Sequence, residues 1–164
     1  MKKIILLITF AASSLYIVSC GKNSDSGSPT TCTNMLVTAD SAALISFASS
    51  NSITTTKDPS GLYYQIITSG TGAVTPIGNS LIEVSYKGSL LNGKVFDSTS
   101  TGKTASFPLY NLIAGWQIAI PKIKAGGRIK MLIPSALAYG CTGAGTTIAP
   151  NLPIYFDVTL VNVQ

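Results

Sequence analysis

Three segments of the chain hold residue types that could form a functional site: residues 84–98, 112–116 and 133–140. The first carries aromatic residues and Asp97, the second ends in the only tryptophan, and the third contains Tyr139. Aromatic rings form apolar walls, and a carboxylate and a hydroxyl add a few hydrogen bonds. These residue types suit the binding of an apolar group with a nearby polar atom held in one geometry.

The chain lacks the residues that most other chemistries require. It contains no histidine, which excludes Ser-His and Cys-His nucleophile pairs and a histidine general base. The six acids are scattered, and nothing predicts two carboxylates at catalytic separation. Gly140, Gly143 and Gly145 precede a predicted strand without a following Gly-Lys-Thr, so phosphate binding is not supported. Hydrolase, kinase and metalloenzyme functions therefore receive no support.

In their order and spacing, the three segments resemble the FKBP-type peptidyl-prolyl cis-trans isomerases, in their exported bacterial lipoprotein form. The resemblance implies an α+β fold in which a bent antiparallel β-sheet wraps around one short central α-helix. It also implies an enzyme that uses no cofactor and no metal. Its partners would be unfolded or proline-containing polypeptides, with macrolide inhibitors as further ligands of the pocket.

The resemblance assigns roles to individual residues of this chain. Trp116 is expected to form the pocket floor, Tyr139 to offer its hydroxyl to the bound peptide, and the Ile113 N–H to donate to its carbonyl. The Phe-Asp-Val run that begins at Phe156 also matches the family. The expected catalytic residues are Tyr86, Phe96, Asp97, Trp116, Tyr139 and Phe156, and the expected substrate-binding residues are Phe107, Leu112, Ile113 and Ile148.

Prolyl isomerisation requires neither a nucleophile nor a proton transfer. Rotation about a peptide bond faces a barrier of ~18–20 kcal/mol. A dry apolar pocket that holds the proline ring favours the twisted amide over the planar, polar ground state. The alternative function is that of a non-catalytic binding module or holdase chaperone, which would use the same pocket to bind proline-containing segments.

The chain departs from the family pattern next to the expected pocket. Where the family commonly has Pro-Pro after the position of Ile148, this chain has Ala149-Pro150. The preceding residues 141–147 are rich in Gly and Thr and lack a bulky side chain. Because this loop contacts the substrate in relatives, we expect the departures to affect rate, sequence preference and macrolide affinity.

Hydrophobic periodicity predicts the elements that position these residues. Alternation with a period of two predicts strands from Leu81 onward and over residues 94–97, 128–133 and 154–163. A central helix is predicted over residues 112–120 and ends at Pro121. Residues 102–106 are predicted to form a loop.

The N-terminal third predicts a short helix followed by a hairpin. The helix spans residues 38–50, with Thr38 as its N-cap and Leu44, Phe47 and Ala48 on one face. Strands over residues 53–57 and 62–68 flank the sequence Asp-Pro-Ser-Gly, which is typical of a type I turn.

The N-terminus predicts export and a lipid anchor. Lys2 and Lys3 precede an apolar run to Val18, which is shorter than the about 20 residues of a membrane span. The run ends in a lipobox at Cys20, so residues 1–19 are predicted as a lipoprotein signal peptide and Cys20 as the lipidated residue. The alternative is an ordinary signal peptide or an anchor helix. We therefore expect a lipid-anchored protein of the cell envelope, on the periplasmic side or at the outer membrane.

Cys32 and Cys141 are the other cysteines, and they fit no metal-binding spacing. In an oxidising compartment they could form a disulfide or remain two independent thiols, because the sequence gives no distance between them. Removal of residues 1–19 leaves nine basic residues against six acids, without a basic stripe. Nucleic-acid binding is therefore not expected.

The domain organisation follows from these segments. Residues 20–35 are predicted as a lipidated tether, residues 36–60 as a helical and strand segment, and residues 61–164 as the isomerase domain. The segment over residues 38–50 is too short to be a long dimerising helix. We therefore expect a monomer.

Overall fold

Seven antiparallel strands form one sheet in a computed structural model of the protein, which describes residues 32–164. The strands lie in the order β1-β2-β6-β7-β3-β4, and β5 pairs with β3 beside β4. The strands are β1 (Thr56–Lys57), β2 (Tyr63–Thr68), β3 (Leu81–Leu90), β4 (Val95–Ser98), β5 (Ala105–Pro108), β6 (Gly127–Ile133) and β7 (Ile154–Val163). With a short helix packed on this sheet, the predicted α+β fold class is confirmed.

The centre of the sheet is the pairing of β3 with β7, which runs from Leu90 opposite Ile154 to Ile82 opposite Val163. Alternation places Ile82 and Val84 in the core, while Leu81 on the other face is 38% exposed. The predicted strand over residues 154–163 is confirmed as β7, and the strand predicted from Leu81 onward begins as β3 does. The strands predicted over residues 94–97 and 128–133 match β4 and β6 to within one residue at each end.

The central helix α2 (Ala114–Ala119) packs on the core face of the sheet. Gly115 makes this packing close, because a Cβ there would lie 2.5 Å from Cγ2 of Ile133 on β6. The prediction that the helix begins at residue 112 is wrong: Leu112 and Ile113 have extended ψ angles of 164° and 152°. The chain continues after α2 as a 3₁₀ turn, Ile120–Lys122, which accommodates Pro121 in its first turn.

The predicted loop over residues 102–106 is wrong in its second half, because β5 begins at Ala105 and pairs with β3 as far as Pro108. The predicted strand over residues 53–57 is likewise shorter than expected, since only Thr56–Lys57 pair with β2. Both short strands are determined by pairing with a neighbouring strand, because neither has an alternating hydrophobic pattern long enough to predict it.

Helix α1 (Ser41–Ser50) packs against the other face of the sheet. Leu44 and Ala48 are buried there, as their shared helix face predicts. The prediction of Thr38 as N-cap is wrong, because α1 begins after Asp40 without a side-chain cap.

The hairpin of β1 and β2 has the predicted turn. Asp58 accepts hydrogen bonds from the N–H of Ser60 at 2.9 Å and, through its carbonyl, from the N–H of Gly61 at 2.9 Å. Its other carboxylate oxygen pairs with Lys122 Nζ at 2.7 Å, which joins the hairpin to the turn after α2.

The structure joins Cys32 and Cys141 in a disulfide, with 5.5 Å between their Cα atoms. The predicted signal peptide, Cys20 and most of the predicted tether lie outside the described residues. Among residues 32–164, no helix is long and apolar enough to cross a membrane.

The close approach at Gly115 predicts that Gly115→Ala destabilises the fold by about 1–3 kcal/mol, because the added methyl group must displace the fully buried Ile133. The gain of about 1 kcal/mol in helix propensity is too small to offset the clash. Chemical denaturation measures the difference. The matched control is Gly78→Ala, where a Cβ meets nothing within 4 Å. Equal unfolding free energies for the two variants would contradict the prediction.

The ion pair of Asp58 predicts an acid-dependent loss of stability. Hydrogen bonds from Lys122 and Ser60 lower the pKa of Asp58 to about 2. In an unfolded chain, the carboxyl group of an aspartate has a pKa of about 3.9. Because the folded pKa is the lower one, the stabilisation is present above about pH 4 and is lost as the pH falls towards 2. Urea unfolding of the wild type and Asp58→Asn should differ at neutral pH and converge in acid. A difference that is constant down to pH 2 would contradict this assignment.

Candidate active site

A pocket of about 200 Å³ opens between α2, the core face of the sheet and the segment that follows β6. Four strands (β3, β4, β5 and β7) contribute lining residues, as do the segment that leads into α2, the helix itself and the loop that contains Tyr139. The lining residues are Tyr86, Asp97, Phe107, Asn111, Leu112, Ile113, Trp116, Tyr139 and Phe156.

Trp116 forms the deep part of the pocket and is only 4% exposed. Its indole meets the rings of Tyr86 and Phe156 edge-on, with centroids 5.5 Å and 5.2 Å apart. Edge-to-face contacts of this kind stabilise a fixed arrangement of rings. The result is a rigid apolar floor with aromatic walls from β3 and β7.

Tyr86 and Asp97 form the polar edge of this aromatic cluster. The Tyr86 hydroxyl donates to Oδ2 of Asp97 at 2.7 Å. Burial raises the pKa of Tyr86 above its ordinary value, and the hydrogen bond to Asp97 raises it further. The Tyr86 hydroxyl therefore stays protonated and remains a hydrogen-bond donor to Asp97. The other carboxylate oxygen, Oδ1 of Asp97, makes no hydrogen bond with a described residue.

Gly88 allows a second layer of rings behind the pocket. Gly88 lies opposite Phe156 in the sheet. If this residue had a Cβ, that atom would lie only 2.8 Å from the ring of Phe96 and 2.5 Å from the ring of Phe156, so the two rings need the space that a glycine leaves. Phe96 meets Phe156 edge-on at 5.4 Å and supports it from outside the pocket.

Two hydrogen-bond donors that belong to pocket-lining residues have no described partner. The backbone N–H of Ile113 precedes α2 and donates to no described residue. The Tyr139 hydroxyl also has no partner among the described residues, and burial followed by the charge of Asp97 raises its pKa. Both groups are therefore available to a carbonyl oxygen of a bound molecule.

Gln117 and Asn111 are site residues that the sequence prediction missed. Gln117 Nε2 donates to the backbone carbonyls of Leu112 at 2.7 Å and Tyr110 at 3.2 Å. It thereby holds the extended backbone that carries the Ile113 N–H. The only feature of the sequence that could have indicated a role for Gln117 is its position directly after Trp116, because a glutamine on a helix surface usually has no special function.

Eight of the ten predicted site residues line the pocket, and two do not. Phe96 lies behind Phe156, as described above. Ile148 is 4% exposed and belongs to the core, where its backbone pairs with Ala144. Among residues 32–164, no three His, Cys, Asp or Glu side chains cluster in a way that could hold a metal ion.

Known proteins share this domain. A family model described as FKBP-type peptidyl-prolyl cis-trans isomerase matches residues 72–161, which include all ten predicted site residues. The FKBP-type isomerase FkpA of Escherichia coli is 43% identical over 105 residues, which are 63% of this chain and 38% of FkpA. Its crystal structure superimposes with a TM-score of 0.68 at 35% identity, covering 78% of this chain and 61% of that one.

Two further proteins extend the comparison. The outer membrane protein MIP of Legionella longbeachae is 41% identical over 107 residues, which are 65% of this chain and 46% of MIP. The crystal structure of a peptidyl-prolyl cis-trans isomerase from Pseudomonas syringae has a TM-score of 0.66 at 31% identity, covering 80% of this chain and 98% of that one. The chain spans less than half the length of FkpA and of MIP.

Proposed function

The chain belongs to the FKBP-type peptidyl-prolyl cis-trans isomerase family, and from this premise we propose that it accelerates cis–trans isomerisation of X-Pro bonds in polypeptides that fold in the cell envelope. Such steps otherwise take tens of seconds or longer. The substrates of this activity are unfolded or proline-containing polypeptides, and no cofactor takes part.

The combination of apolar walls and unused donors in one pocket carries the proposal. The space bounded by Trp116, Tyr86 and Phe156 suits a proline ring, which is compact and apolar. The Ile113 N–H and the Tyr139 hydroxyl lie at the same pocket and can bind the carbonyls on either side of it. A proline with its flanking peptide groups has this distribution of apolar and polar surface.

The proposed mechanism is preferential binding of the twisted amide. Rotation about the X-Pro bond removes conjugation, so the twisted amide is less polar than the planar one. It therefore loses less hydration free energy when it moves from water into the pocket. The pocket holds the ring in a dry environment, and the donors hold the carbonyl in the rotated geometry. Oδ1 of Asp97 is free to accept an N–H of the bound chain. Every step is a binding or rotation step, and no proton changes place.

We further propose that Cys20 carries lipid and holds the domain to an envelope membrane. Two or three acyl chains anchor a protein far better than one. A relative that is named an outer membrane protein supports this location. Macrolide inhibitors are proposed to compete for the pocket, and the protein is proposed to act as a monomer.

The proposed activity predicts that the full-length protein, solubilised in a mild detergent, accelerates isomerisation of an Ala-Xaa-Pro-Phe peptide. Asp97→Ala and Trp116→Ala should each lower kcat/KM by about tenfold or more, because each removes a group from the site of the twisted amide. Rates of cis-to-trans conversion in a protease-coupled assay, with circular dichroism to verify folding, provide the measurement.

Tyr155→Phe is the matched control. Tyr155 is half-buried like Tyr86, and its pKa is raised by burial to about 12, yet it lies against Phe47 and outside the pocket. Its hydroxyl should be dispensable. A folded wild type that binds proline peptides, as seen by Trp116 fluorescence, without accelerating their isomerisation would indicate the non-catalytic binding module instead.

A further inference from the structure

Tyr139 lies on a short segment whose backbone must be held in place by contacts with other parts of the chain. The segment begins at a 3₁₀ turn, Ser135–Leu137, and ends at Cys141. The Tyr139 hydroxyl makes no hydrogen bond within the described residues, so the position of the ring depends on the backbone at this point. A donor used in catalysis must be positioned to a fraction of an ångström to be effective.

The beginning of this segment is bound to the residue that precedes α1. Oδ2 of Asp40 accepts from the Ser135 N–H at 2.7 Å and from the Ser135 hydroxyl at 2.6 Å. Asp40 is 8% exposed and Ser135 is fully buried. Hydrogen bonds to a carboxylate at this depth are stronger than those between neutral groups.

The end of the segment is bound to the chain just before Asp40. Oδ1 of Asn34 accepts from the Cys141 N–H at 2.9 Å, and Cys32 forms the disulfide with Cys141. Gly140 has a φ of +52°, and a Cβ there would collide with the Asn34 side chain. The two stretches of backbone therefore lie directly against each other.

We propose that residues 32–40 act as a brace that positions Tyr139 for catalysis, with Asn34, Asp40 and the disulfide of Cys32 as positioning residues. The brace holds the Tyr139 segment at both of its ends. It lies wholly before the family match, which begins at residue 72. The inference rests on the proposed isomerase function, because its effect is exerted through Tyr139.

We expect loss of the brace to lower the rate of isomerisation while the fold around the pocket stays formed. The pocket floor of Trp116 and Phe156 belongs to the main core, whereas α1 packs with a separate cluster around Leu132. The Tyr139 segment also keeps its own turn, in which the Gly140 N–H donates to the Ser135 carbonyl at 2.8 Å. A detached segment therefore stays formed but is less closely held.

The test uses a detached variant of the full-length protein, Cys32→Ser with Asn34→Ala and Cys141→Ser, which releases the Cys141 end of the segment and leaves Asp40 bound to Ser135. In the Tyr139 background we expect kcat/KM to fall by about tenfold, which is a loss typical of small displacements at a catalytic group. In the Tyr139→Phe background, the same three changes should alter kcat/KM by less than about twofold, because the group they position is already absent. Asn34→Asp in place of Asn34→Ala keeps an acceptor for the Cys141 N–H and should restore part of the rate.

Equal losses in the two backgrounds would overturn the proposal, since they would indicate a structural effect independent of Tyr139. An unchanged rate in the detached variant would overturn it as well, and inactivity of the wild type would instead overturn the proposed function. If Tyr139→Phe leaves too little activity to compare, affinity for a proline peptide, read from Trp116 fluorescence, gives the same comparison. Asn92→Ala is the matched control, because Asn92 accepts from the Lys94 N–H at 3.0 Å in a turn away from the pocket.

Discussion

The register between β3 and β7 is the constraint on which the pocket depends. Tyr86 lies opposite Val158 and Gly88 opposite Phe156, so Tyr86 and Phe156 are diagonal neighbours on one face, with ring centroids 6.1 Å apart. Trp116 then packs across both rings from α2. A slip of one residue would turn every one of these strand side chains to the opposite face and would leave the indole without its partners.

Because the site consists of rings, one carboxylate and two donors, the chemistry proposed for it is that of selective binding. The barrier to rotation belongs to the amide itself, and a rigid dry pocket can lower it without supplying a reactive group. Rigidity is therefore the property that the rest of the fold must provide. Gly115 brings α2 close to the sheet, Gln117 holds the backbone around Ile113, and the proposed brace holds the segment of Tyr139.

The sequence predicted the elements whose periodicity is strong and missed those that depend on distant partners. Strand β7 alternates over its whole length and was predicted to the residue, whereas β5 is short and becomes a strand only through β3. Thr38 has the chemistry of an N-cap, but α1 begins later, directly after the residue whose carboxylate binds Ser135. Motif spacing predicted most of the pocket lining, while contacts across more than ninety residues, such as Asp40 with Ser135, left no local signal.

The central claim is that the proposed isomerisation in this pocket involves no transfer of a proton, and the dependence of kcat/KM on pH and on deuterated solvent tests it most directly. The chain has no histidine, the side chain that ordinarily titrates between about pH 5 and 8. The pKa values of Tyr86 and Tyr139 are raised, so both hydroxyls stay protonated across this range. A rate that is flat over this range and equal in light and heavy water is the predicted result. A bell-shaped profile with a substantial solvent isotope effect would contradict it.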